Sequence, residues 1–164
     1  TATIKGFEPL YIQRIAQLTN KSNQFNLTTL RCSEDDIRAM AGDKNDLCLC
    51  GKLVDKFGDN GIVTVVAGRQ QGDVLDLTLW LMSCRVLKRG MEDAMMDTVV
   101  AEAAARGVKT IVGHYYPTAK NAMVREFYAQ YDFAKTAEDA GGNTEWTLDV
   151  AAYTPKHPHM KIER

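Results

Sequence analysis

The segment that most constrains the fold is residues 91–106, where Met91, Met95, Met96, Val99, Val100 and Ala103 recur at helical spacing on one apolar face. Gly107 follows as a stop. Strand-like segments lie on both sides, Val74 to Ser83 before it and the β-branched run Lys109 to Tyr115 after it. The pattern predicts a sheet whose central strands flank this helix.

The rest of the chain is compatible with that core. Residues 3–8 read as a short strand, and Tyr11 to Lys21 carries helical apolar spacing at Ile12, Ile15 and Ala16. Ser22 to Leu30 has no clean period. Ser33 is placed to N-cap a helix over Glu34 to Ala41, with acidic residues in its first turn and Gly42 as a stop. Strands are expected over Leu47–Val54, Ile62–Ala67 and Val74–Ser83, joined antiparallel by turns at Gly58-Asp59-Asn60-Gly61 and Gln71-Gly72-Asp73. A helix is expected from Ala119 to Tyr131, then a strand from Phe133, a Gly141-Gly142 turn and a strand over Glu145–Val150. The order β-α-α-β-β-β-α-β-α-β-β is a mixed α/β (α+β) sheet, mostly antiparallel, flanked by helices.

A chain of 164 residues is one ordinary domain, expected over residues 1–153 with a loosely ordered tail at 154–164 containing Pro155 and Pro158. Its 20 Lys+Arg against 21 Asp+Glu lack the basic excess of an electrostatic nucleic-acid binder. No apolar run approaches the ~18 residues of a spanning helix, so a membrane is not an expected partner. The four cysteines (Cys32, Cys48, Cys50, Cys84) are too few and irregular for a disulfide scaffold and read as reduced thiols of a cytoplasmic protein. The chain begins Thr1-Ala2-Thr3, without an initiator Met, as a domain cut from a longer protein would.

Chemistry concentrates between Leu81 and Phe133. A strand ends at Cys84, and Arg85, Lys88, Arg89 and Gly90 precede the Met91 helix. Free N–H groups and the positive dipole end suit such a junction to phosphate, although an ordinary turn with solvated basic residues would read the same. In a helix over 119–131, Asn121, Val124 and Tyr128 share one face, with Asn121 and Tyr128 about 10 Å apart along the axis. The alternative is a core Tyr128 and a surface Asn121 near a Thr118 cap. Gln24 and Asn26 are candidate polar substrate contacts, or stabilise their own loop. Cys48 and Cys50 share a strand face and, with His157 and His159 in the tail, make a poorly spaced zinc set, so no metal is expected.

Together these pieces resemble the GNAT (N-acetyltransferase) fold. That family binds acyl-CoA pyrophosphate on a loop of pattern Gln/Arg-x-x-Gly-x-Gly/Ala, and completes the site with a pattern Asn-x6-Tyr-x4-Gly-Phe. Here the second reads Asn121…Tyr128…Asp132-Phe133, with Asp132 where Gly is usual. The first reads Leu87-Lys88-Arg89-Gly90-Met91-Glu92, in which Gly90 matches while Leu87 and Glu92 depart. Glu92 in the first helical turn competes with a bound pyrophosphate. Four further segments, Arg14–Thr29, Asp55–Gly61, Met82–Leu87 and Tyr116–Asn121, are similar to the C-terminal region of FkbH-like proteins, members of the HAD-superfamily subfamily IIIC. Such proteins join an N-terminal HAD-type phosphatase domain to a GNAT-like domain, and some load glyceryl units onto an acyl carrier protein. The phosphatase aspartate motif is absent here.

The resemblance implies an acyltransferase using acetyl-CoA, another acyl-CoA or a carrier-protein phosphopantetheine thioester as substrate, in secondary-metabolite or polysaccharide biosynthesis. Cys84, Arg85, Val86, Lys88, Arg89, Gly90, Asn121 and Tyr128 would contact the thioester, and Tyr128 would protonate the leaving thiolate. Gln24, Asn26 and His114 would face the acceptor. Cys84 is a possible covalent nucleophile, and the base is open among Asp76, His114 and a water. The competing reading is a non-catalytic module that binds a phosphopantetheine arm or carrier protein and supports the HAD-type domain.

Overall fold

The structure, a computed structural model, describes residues 2–55, 58–83, 90–156, 158 and 162–163. In chain order the elements are β1 (Ala2–Lys5), α1 (Ile12–Lys21), α2 (Glu34–Gly42), β2 (Asp46–Asp55), β3 (Gly58–Gln71), β4 (Val74–Met82), α3 (Met91–Ala105), β5 (Thr110–Tyr115), β6 (Ala134–Glu138), β7 (Thr144–Asp149) and β8 (Ile162–Glu163). Short 3-10 turns lie at Pro9–Tyr11, Ala122–Val124, Tyr128–Tyr131 and Val150–Ala152. The strands described form one sheet in the order β6-β7-β5-β4-β3-β2-β1-β8. Its pairs are antiparallel except β4–β5 and β1–β8. The parallel β4–β5 pair follows from the α3 connection, because a helical crossover returns the chain in the same direction.

Helices cover both faces. Met91, Met95, Met96, Val99, Val100 and Ala103 of α3 are buried as their spacing predicts, in a core shared with Trp80, Tyr115, Tyr128 and Trp146. On the opposite face Ile12, Ile15 and Leu18 of α1 and Ile37 of α2 pack with Val65, Leu79 and Leu81. Ser33 caps α2 as expected, accepting from the Asp36 N–H while Asp36 accepts from the Ser33 N–H. Gly107 ends α3 with φ 78°. Among the described residues no helix is long and apolar enough to cross a membrane.

Four expectations are corrected. The segment 119–131 is two 3-10 turns rather than one α-helix. Asn121 has φ −106° and ψ 18°, outside helical geometry, because its side chain is engaged by loop backbone. Gly58 and Asp59 are already in the ladder, paired with Asp55 and Val54, so the Asp-Asn-Gly signal marks a bulge rather than the turn. In the tail, Ile162–Glu163 pairs parallel to β1. The remaining difference is in β4, where Gly68 pairs with Leu77 but Ala67 with Leu79, leaving Thr78 as an extra residue.

Candidate functional site

The bulge at Thr78 creates the site. Leu75 and Leu77 face the α3 core, but past Thr78 the parity reverses: Leu79 and Leu81 turn to the α1 side, Trp80 and Met82 to α3. A bulge bends its strand and increases twist. The β4–β5 register runs only from Val74↔Thr110 to Asp76↔Val112. Beyond it the strands part, and β4 has an edge that β5 does not cover.

A segment of the α1–α2 connection fills that fork. The Leu27 N–H donates to the Trp80 carbonyl at 3.0 Å and the Met82 N–H to the Phe25 carbonyl at 3.0 Å, an antiparallel bridge centred on Asn26 and Leu81. On the other arm the Tyr116 N–H donates to the Leu27 carbonyl at 2.9 Å. Leu27 therefore joins both arms. Asn121 holds this wedge. It is fully buried, and Nδ2 donates to the carbonyls of Asn26 and Tyr116, both at 3.0 Å. Its Oδ1 accepts from the Thr118 N–H at 2.7 Å and the Tyr115 hydroxyl at 3.3 Å. Two donors and two lone pairs are all used.

Asn26 is also fully buried. Its amide donates to the Ser22 carbonyl and accepts from the Thr29 N–H, so it stabilises its own loop. Tyr128 lies on the α3 side of β5 in an aromatic cluster with Trp80, Phe127 and Phe133. Its ring lies against the Gly113 backbone, where an added Cβ would come within 2.5 Å of Cζ. Burial, with the nearby Asp76 charge second, pushes the Tyr128 phenol well above the ordinary tyrosine range.

On the opposite face, His114 Nε2 lies 2.5 Å from Asp76 Oδ1, at the point where β4 and β5 separate. The Tyr116 ring covers the imidazole at a centroid distance of 5.9 Å. Two of the candidate bases thus form one hydrogen-bonded pair.

At the start of α3, Gly90 has φ 87°, a left-handed conformation suited to glycine, and Glu92 and Asp93 occupy the first turn. Asp93 accepts from the Tyr131 hydroxyl at 2.6 Å. Cys84, Arg85, Val86, Lys88 and Arg89 lie outside the described residues, as do His157 and His159. Cys48 and Cys50 donate weakly to the carbonyls of Met40 and Gly6, and burial pushes both thiols up to about 12. Among the described residues no three His, Cys, Asp or Glu side chains cluster as metal ligands would.

A cavity of about 600 Å³ opens at the end of β4, lined among others by Arg14, Lys21, Gln24, Phe25, Met82 and Lys120. Gln24, a sequence-predicted acceptor residue, thus faces a cavity.

No protein-family model matches the chain, and no curated protein matches it in sequence. Solved structures do. The ribosomal-protein-S18-alanine N-acetyltransferase from Escherichia coli superposes with a TM-score of 0.70 at 13% identity, covering 98% of this chain and 100% of its own. A GNAT-family acetyltransferase from Streptococcus pneumoniae gives 0.70 at 14% identity over 91% and 99%. Ard1 from Thermoplasma volcanium gives 0.70 at 16% over 90% and 97%. The chain has the GNAT fold.

Within this GNAT fold, the departure at Asp132 has a physical account. Asp132 has φ 71°, the left-handed conformation that the usual glycine adopts without strain. Its carboxylate accepts from the Thr154 N–H at 3.1 Å and faces Lys156 Nζ at 3.5 Å. The sequence reading missed Arg14, Lys21 and Lys120. The signal for the first two was present: Arg14, Leu18 and Lys21 are spaced i, i+4, i+7, one face of α1.

Proposed function

We propose that the domain is an acyltransferase that takes an acyl-CoA or acyl-carrier-protein thioester. We place it as the GNAT-like part, residues 1–153, of an FkbH-like protein whose N-terminal HAD-type domain precedes it, handling glyceryl or hydroxyacyl units in the cytoplasm. The observation that carries this reading is the parting of β4 from β5 within a GNAT fold. Because residues 80–82 of β4 already pair with the wedge, the resemblance assigns the pantetheine arm to the segment that follows β4, where the sequence carries Cys84, Arg85, Val86, Lys88 and Arg89. By the resemblance, Tyr128 is the group that protonates the leaving thiolate, and burial keeps its phenol neutral in the free protein. His114, oriented by Asp76, is the candidate to take the acceptor's proton.

A second reading is favoured by a different observation. Tyr128 is 2% exposed and the wedge closes the fork, which suits a non-catalytic phosphopantetheine- or carrier-protein-binding module. Calorimetry with acetyl-CoA and with an acylated carrier protein, followed by product assay, separates the two. The enzyme reading expects binding and turnover, with Tyr128→Phe slowing transfer while leaving affinity nearly unchanged. Carrier binding without turnover selects the module, and no binding at millimolar thioester defeats both.

A further inference from the structure

The cavity at the end of β4 has a charge pattern that nothing in the fork explains. Arg14 and Lys21 stand two turns apart on α1, about 10 Å along the helix, with Leu18 between them. Lys120 faces them from the turn after β5, and Phe25 and Met82 contribute apolar surface. No carboxylate is among the described residues lining this space. Arg14, Lys21 and Lys120 form no ion pair with a carboxylate among the described residues.

Lys21 sits in the last turn of α1, where a cation answers the negative dipole end. That task is already performed by Arg31, whose guanidinium donates to the carbonyls of Thr19 and Ser22 and, at 2.6 Å, to Asn23 Oδ1. Arg14 lies two turns upstream, out of reach of the dipole end. Three cations converging on one concave, partly apolar space raise the local potential for a negatively charged ligand. At the start of α3, by contrast, Glu92 and Asp93 already supply negative charge.

We infer that this cavity binds the anionic group, carboxylate or phosphate, of the acyl acceptor, so that the substrate is a small acid with a short apolar or neutral middle. The inference rests on the acyltransferase reading only for the word acceptor; the cavity's preference for anions stands on its own residues. Guanidinium and ammonium groups hold such oxyanions through charge-assisted hydrogen bonds, Arg14 by its planar fork and the lysines as point charges.

The test is titration of the protein with inorganic phosphate and with succinate, followed by amide chemical shifts of residues 14–25 and 82–83. Binding of about millimolar strength that weakens with added salt is expected, with both the phosphate and the succinate arm recorded. Arg14→Gln, and separately the double variant Lys21→Gln/Lys120→Gln, are each expected to weaken it about tenfold or more, the loss of charged hydrogen bonds. Lys135→Gln, far along the sheet and paired with Glu138, is expected to change nothing. Stronger binding of one probe identifies the anion as phosphate or carboxylate. No binding of either probe, or affinity unchanged in both cavity variants, overturns the inference. Anion binding by a protein that ignores acyl thioesters would instead retain the cavity and defeat the acyltransferase reading.

Discussion

At the scale of single residues, Asn121 ties sequence motif to fold. The Asn-x6-Tyr spacing was legible in the sequence, and so was a core position for Tyr128. The position of Asn121 was not, because its partners Asn26 and Tyr116 lie in other parts of the chain and no local period reports them. All four hydrogen-bonding positions of its buried amide are filled from within the chain. Replacing Asn121 with Ala leaves the Asn26 and Tyr116 carbonyls and the Thr118 N–H without that partner. Unsatisfied buried groups cost about 1–3 kcal/mol each. Denaturant unfolding of Asn121→Ala is expected to lose about 3 kcal/mol, with the slope unchanged. Asn121→Asp keeps the shape but points carboxylate oxygen at two carbonyls, and should lose at least as much. A loss below about 0.5 kcal/mol in both would mean the wedge is held by something else.

At the scale of elements, α3 was the most legible part of the chain and 119–131 the least. Both carry apolar residues at helical spacing; the difference is what surrounds them. Helix α3 is long enough for its periodic face to dominate. In 119–131 the bulk of Phe127, Tyr128 and Tyr131 packs inward as an aromatic cluster, and two short turns accommodate it. Tyr131 and Tyr153 then bind this half of the molecule to α3 through Asp93 and Asp97. Burial first, and the Asp93 hydrogen bond second, raise the Tyr131 phenol well above 10. A raised folded value means that the folded state keeps a proton the unfolded chain releases. The stabilisation is whole below pH 10, the ordinary tyrosine value, and declines as pH climbs through the folded value. Each such phenol adds a downward slope of about 1.4 kcal/mol per pH unit in that window. Unfolding free energy measured from pH 10.5 to 11.5 is therefore expected to fall less steeply in Tyr131→Phe than in the parent, by about 1.4 kcal/mol per unit. Identical slopes would remove Tyr131 from the alkaline response.

At the scale of the whole molecule, the antiparallel run β2–β3–β4 and the placing of α3 between β4 and β5 follow from patterns the sequence carries: alternation, turn residues and the α3 face. The fork does not, because a one-residue bulge at Thr78 changes facing without changing composition. Its consequence is global. Strands β5, β7 and β6 meet β4 through only the three register pairs from Val74 to Asp76, so the sheet would be two half-sheets joined by a short ladder. Leu27 adds the second connection, bonded on one side to Trp80 and on the other to Tyr116. If the wedge is a structural member of the sheet, the amides of Leu27, Met82 and Tyr116 open together, as groups in one cooperative unit do. Native-state hydrogen exchange should then give these three amides matching opening free energies, and Asn121→Ala should lower all three in parallel. Acyl thioester at saturation should leave them protected, since the proposed function puts its arm on the segment that follows β4 rather than on the wedge. Loss of protection at Met82 and Leu27 on adding thioester would instead mean that the wedge leaves the fork to admit the ligand. Tyr116 exchanging independently of Leu27 would mean that the two half-sheets are held together by the three-pair ladder and α3 alone.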